Sequence, residues 1–114
     1  MLSVKERGVL INIVKHCDKI NEKMTNLSKN EFDGDEDITQ IVCFNILQIG
    51  ELAKNLSPEF VKQFNGVPWS KIKGMRDKVA HGYGTLDMDR IWNTAKLDIN
   101  PLRDYCISIL SKDK

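Results

Sequence analysis

Residues 37–56, DITQIVCFNILQIGELAKNL, decide how this chain folds. Ile38, Ile41, Val42, Ile49, Leu52, Ala53 and Leu56 recur at the three- and four-residue steps of a helix with an apolar face. Cys43, Phe44, Ile46, Leu47 and Gly50 carry the apolar surface round the other side. A helix apolar on nearly every side is covered on more than one side. It is therefore either the middle of a bundle or part of a subunit interface. Asn45 falls inside the apolar stripe and, if buried, needs hydrogen-bond partners. Gly50 costs a helix interior about 1 kcal/mol, which suggests that it is there for a reason, and glycine allows another backbone to come close. Glu51 follows it directly.

Outward from this segment the pattern stays helical. Residues 4–24 form a first helix with Val4, Leu10, Ile11, Val14, Cys17 and Ile20 toward the core. Ser28 with Glu31 three residues later is a capping box, which places a short helical turn there. The acidic run 31–37 lacks calcium-loop spacing. Asp35, Glu36 and Asp37 suit the first turn of the central helix, where the dipole favours negative charge. On the other side Ser57 caps and Pro58 opens a short helix over 58–64. Asn65-Gly66-Val67 is a turn. Pro68-Trp69 then opens a helix reaching His81, with Gly82 just past its end, and residues 82–85 make a tight connection. Asp87 caps a last long helix carrying Ile91, Trp92, Ala95 and Leu97, kinked or restarted at Asn100-Pro101. Leu102, Tyr105, Cys106, Ile109 and Leu110 complete its apolar face. The expected fold is all-α. It is an antiparallel up-and-down bundle of four to five helices in one domain, 1–114.

Composition sets limits on function. The 114 residues are 41% hydrophobic and 29% charged with a net charge of +1. Nothing global draws the chain to nucleic acid or acidic lipid, so a polyanion site must be local. Lys71, Lys73, Arg76 and Lys78 around Asp77 supply one, with Lys73 and Lys78 as its phosphate-binding lysines. Cys17, Cys43 and Cys106 are odd in number, match no zinc spacing and lie in apolar patterns. They read as reduced packing residues. The first apolar run is too short for a signal peptide, and no stretch approaches the ~20 apolar residues that cross a bilayer. The expected location is the cytoplasm, with no membrane, no metal and no cofactor.

The chemistry gathers in residues 73–83, KGMRDKVAHGY. On a helix Arg76 and His81 sit roughly 140° apart round the axis and about 7.5 Å apart along it, whereas Asp77 and His81, four apart, share a face. A histidine titrating near neutrality can move the proton of a ribose 2′-hydroxyl, and an arginine can hold the phosphate and the charge building on it. No metal is needed when the 2′-hydroxyl is the nucleophile, and the substrate is then RNA. One chain offers one histidine, whereas cleavage needs a base and an acid. A two-fold dimer with facing motif helices would supply both. Structural roles exist for the same residues. The helix dipole alone favours a histidine in a last turn, an arginine stem often covers apolar surface, and Tyr83 could simply pack.

These residues, taken together, resemble a known family. Arg76-x4-His81-x-Tyr83 is similar to the Arg-x4-His-x-Tyr motif of HEPN toxins of the HepT type, which pair with minimal (MNT) nucleotidyltransferase antitoxins. Ile49-Gly50-Glu51-Leu52-Ala53-Lys54-Asn55-Leu56-Ser57 resembles the family's Ile-Gly-Glu-Ala-x-Lys-x-Leu-Ser, and Val67-Pro68-Trp69-Ser70-Lys71-Ile72-Lys73-Gly74-Met75-Arg76 its Ile-Pro-Trp-x-x-Ile-x-Gly-x-Arg. Leu86, Asp87, Trp92 and the kink before Pro101 fit as well.

The resemblance implies a dimeric HEPN-like bundle and a metal-independent endoribonuclease acting on tRNA or mRNA, with Arg76, His81 and Asp77 catalytic. It further implies that the antitoxin silences the enzyme by AMPylation of Tyr83. Asp77 stands where the family often has asparagine. It orients an imidazole better but repels phosphate. Glu51 is a candidate support for Arg76. The competing reading is a non-catalytic helical module that docks a nucleotidyltransferase and helps hold its nucleotide or substrate. A plain structural dimer is a third.

Overall fold

The computed structural model describes residues 1–82 and 87–113, apart from the side chains of 78–82. The described residues form helices and no strands. In chain order these are α1 (Val4–Met24), α2 (Lys29–Gly34), α3 (Glu36–Ala53), α4 (Pro58–Gln63), α5 (Trp69–Gly82), α6 (Met88–Asn93), a π-helical segment (Thr94–Asp98) and α7 (Ile99–Lys112). The all-helical bundle expected from the periodicity is the fold observed.

The helix starts follow their capping chemistry. Ser3 and Glu6 make a capping box on α1, and Ser28 and Glu31 make another on α2. Asp35 itself is the N-cap of α3, its carboxylate accepting from the Ile38 N–H at 3.0 Å, so the helix begins at Glu36 rather than at 37. It ends at Ala53, and residues 54–56 turn tightly toward Pro58, since the approach to a proline disfavours further helix. Ser57 caps α4 through the Phe60 N–H, and Asp87 caps α6 through the N–H groups of Asp89 and Arg90.

The long helices pack in the order α7, α1, α3, α5, so α3 lies between α1 and α5. Contacts at both ends fix α1 and α7 as antiparallel. The Leu2 N–H donates to Asp113 at 2.9 Å, and Asn21 donates to Asn100 at 2.8 Å. The buried side chains form one cluster that runs from Leu10 and Ile13 on α1 through Ile46 and Ile49 on α3 to Ile72 and Met75 on α5 and Leu102 and Cys106 on α7. Each fully buried aliphatic side chain contributes roughly 1.5–3 kcal/mol of transfer free energy. Phe60 and Trp69 pack edge to face, and the Trp69 indole donates to the Phe64 carbonyl at 2.5 Å. Those contacts fix where α5 starts, and hence where its later residues fall.

Some expected core positions face solvent. Val4 and Ile11, seven residues apart, share a stripe that is off the buried one, and Val4 is 92% exposed. Ile13 takes the core position between Leu10 and Cys17. Leu97 is 66% exposed, and Phe44, on the flank left to a neighbouring helix or a second subunit, is 58% exposed. Leu97 lies six residues past Ile91, about a third of a turn off its stripe. It also sits in the π turn, which is the form the expected kink takes. Pro101 has no N–H for the Leu97 carbonyl and its ring crowds that carbonyl, and the wide turn ends just there.

Candidate functional site

The site is built where α3 and α5 touch. A Cβ on Gly50 would stand 2.7 Å from the Arg76 Cβ and 2.9 Å from its backbone nitrogen. The missing side chain is what lets the two helices meet, as its cost inside a helix implied. It also sets Arg76 beside the residue after Gly50. The Arg76 Nε lies against Glu51 Oε1, an oxygen shut off from solvent. That contact is a charge pair without an aligned hydrogen bond. The Arg76 Nη1 donates to Asp77 Oδ1 at 3.0 Å.

Lys54, one turn beyond Gly50, reaches the same two oxygens. Its Nζ is 3.8 Å from Glu51 Oε1 and 3.7 Å from Asp77 Oδ1. Two cations and two carboxylates thus alternate around a small ring spanning both helices. The Asp77 hydrogen bond first, and the Glu51 charge next, hold the Arg76 guanidinium above its ordinary pKa. The Arg76 side chain remains one-third exposed, so a solvent-borne anion can reach it.

The structure brings together only some of the candidate residues. Arg76, Asp77 and Glu51 meet. Lys73 is half-buried one turn before Arg76 on α5. Lys71 leaves the expected basic patch and pairs with Asp98 at 3.5 Å. His81 is carried by the backbone of α5, five residues after Arg76. The side chains of Lys78 and His81, and Tyr83 and the 82–85 connection past Gly82, lie outside the described residues.

The sequence reading missed Lys54. Its spacing of three from Glu51 was a usable signal, but its second partner, Asp77, comes from another helix and shows no local pattern.

The other histidine serves packing. Asn45, 5% exposed, donates to the Ile41 carbonyl at 2.8 Å, and its Oδ1 lies 2.8 Å from His16 Nδ1. With the amide already donating, Oδ1 is the acceptor and Nδ1 carries the proton. Among the described residues no three His, Cys, Asp or Glu side chains converge where they could hold a metal. Among them, too, no helix is long and apolar enough to cross a membrane.

Residues 13–109 match the sequence profile of a family described as “Ribonuclease HepT-like”. The chain belongs to the HepT-like family. Among its relatives is “Putative RNase TTE0752” of Caldanaerobacter subterraneus, 34% identical over 108 residues, which are 95% of this chain and 96% of that one. “Probable ribonuclease HepT” of Thermococcus cleftensis is 36% identical over 66 residues, 57% of this chain and 60% of that one. “Putative RNase MJ0127” of Methanocaldococcus jannaschii is 27% identical over 112 residues, 95% of this chain and 93% of that one. No solved structure matches the HepT-like chain.

Proposed function

We propose that this chain is a metal-independent endoribonuclease toxin cutting tRNA or mRNA. In this reading it works as a homodimer in the cytoplasm and is silenced when a nucleotidyltransferase antitoxin adds AMP to Tyr83. The observation that carries the reading is the seating of Arg76. Its backbone is set by Gly50, its guanidinium is gripped from two sides by Glu51 and Asp77, and one-third of the side chain stays open to solvent. A guanidinium so placed, five residues before a histidine on one helix, suits binding of a phosphodiester. The relatives' names point the same way.

The chemistry follows from the residue types. The 2′-oxygen attacks phosphorus while one His81 takes its proton. The bond from phosphorus to the 5′-oxygen breaks, and the His81 of a second copy protonates that oxygen. A 2′,3′-cyclic phosphate and a 5′-hydroxyl result. Arg76 stabilises the charge on the phosphoryl oxygens. Phe44, exposed and seven residues before Glu51, shares the helix stripe that leads to the site. It is an apolar anchor for the second copy. AMP on Tyr83 would set bulk and negative charge two residues from His81 and repel RNA.

Expression in a bacterium lacking the partner tests this. Growth arrest is expected, relieved by His81→Ala and by Arg76→Ala in folded protein. Intact mass after co-expression with the partner should rise by AMP, and the gain should vanish in Tyr83→Phe. A chain that is harmless alone yet binds the nucleotidyltransferase tightly and unmodified would instead be a docking module.

A further inference from the structure

We infer that Lys54 is an additional RNA-binding residue, taking the phosphate next to the one held by Arg76; this rests on the nuclease reading above. Lys54 and Arg76 share Glu51 Oε1 and Asp77 Oδ1, so their charges stand close together on one partly exposed patch. They are held differently. Arg76 is seated against Glu51 and hydrogen-bonded to Asp77 at 3.0 Å. The Lys54 ammonium is 3.7 and 3.8 Å from the same oxygens, beyond the 2.7–3.2 Å of a hydrogen bond. Its side chain is 41% exposed.

Lys54 is therefore the loose cation of the ring. It can swing onto an incoming phosphate without breaking a hydrogen bond, while Arg76 stays fixed. The Lys54 ammonium stands beside Asp77 Oδ1, the oxygen that also accepts from Arg76. A strand whose phosphate sits on Arg76 therefore brings an adjacent phosphate within reach of Lys54. A cation there binds the ground state and the transition state alike, so its loss falls on KM rather than kcat.

The test uses an RNA oligonucleotide and its 2′-O-methyl form, which binds but lacks the nucleophile. Lys54→Gln is expected to raise KM for the cleavable RNA about five-fold while moving kcat far less. It should also flatten the dependence of log affinity on log salt for the 2′-O-methyl RNA by about 0.7, one phosphate contact. Lys54→Arg should restore both, and Lys62→Gln on α4 should change neither. An unchanged KM and salt slope in Lys54→Gln would overturn the assignment. So would a fall in kcat with the slope intact, which would make Lys54 a brace for the carboxylates. Arg76→Ala separates the two claims. If it cuts like wild type, the nuclease reading of this site fails; if it is inactive while Lys54→Gln behaves as wild type, only the Lys54 assignment fails.

Discussion

Gly50 and Arg76 are in backbone contact, with room for no atom heavier than hydrogen between the glycine Cα and the arginine. A Cβ there would overlap the Arg76 Cβ at 2.7 Å and its nitrogen at 2.9 Å. The residue that seats the guanidinium, Glu51, is next in sequence. One helix position thus sets the spacing of α3 and α5, and the following one fills the gap with a counter-charge.

Gly50→Ala should therefore destabilise the protein. Alanine gains about 1 kcal/mol in helix propensity, but overlap with a backbone nitrogen forces α5 outward, at roughly 1–3 kcal/mol. We expect a net loss of about 1 kcal/mol in urea unfolding, together with loss of RNA cutting as Arg76 leaves Glu51. Gly74→Ala is the control. A Cβ there meets nothing within 4 Å, so the propensity gain should appear as stabilisation of about 0.5–1 kcal/mol. Equal responses at the two glycines would mean that the close approach carries no energetic weight.

Asp77→Asn removes a negative charge that shares Arg76 and Lys54 with any incoming phosphate. KM for RNA should fall a few-fold. Because Asp77 is also one of the proposed catalytic residues, kcat should fall as well. Separate measurement of the two constants checks this; a KM that rises would show that Asp77 assists RNA binding.

Asn45→Ala should cost about 1–3 kcal/mol. It strips a buried amide from the core and leaves His16 Nδ1 without its acceptor. His16→Ala, at a half-buried site, should cost less. Equilibrium unfolding of the two variants orders them.

Burial pushes the Cys17 and Cys106 thiols up to about 12. In the unfolded chain each ionises near 9, so above that pH the folded state binds more protons than the unfolded one. Stability is whole below about pH 9 and falls as pH rises from 9 toward 12. The slope should be shallower in Cys17→Ala than in wild type, whatever the variant's absolute stability. Neither thiol should react with a thiol reagent at pH 8 until the protein unfolds. Prompt labelling of the native state would contradict their burial.

The parts of this protein legible in sequence were those set by local chemistry. The capping pairs at Ser28 and Ser57 and the glycine cost at Gly50 each pointed to a feature that is present. The polar requirement of Asn45 was likewise met, by His16 and Ile41. Errors arose where hydrophobicity alone stood in for position. Val4, Ile11 and Leu97 are apolar yet off the buried stripes, and Ile13 was passed over although it completes one. Of the candidate site, the proximity of Arg76, Asp77 and Glu51 could be anticipated from two motif segments. The place of Lys54 in their ring could not, because its link to Asp77 joins residues 23 apart in sequence through helix packing. Lys71 failed for a similar reason. Its partner Asp98 belongs to the π segment, far along the chain.

The most direct test is cleavage of a defined RNA by purified protein in excess chelator, with the new ends identified by mass. The account predicts 2′,3′-cyclic phosphate ends, and a loss of at least ~100-fold in rate for both Arg76→Ala and His81→Ala. Cutting that survives in both folded variants, or that ceases when divalent ions are removed, would contradict it.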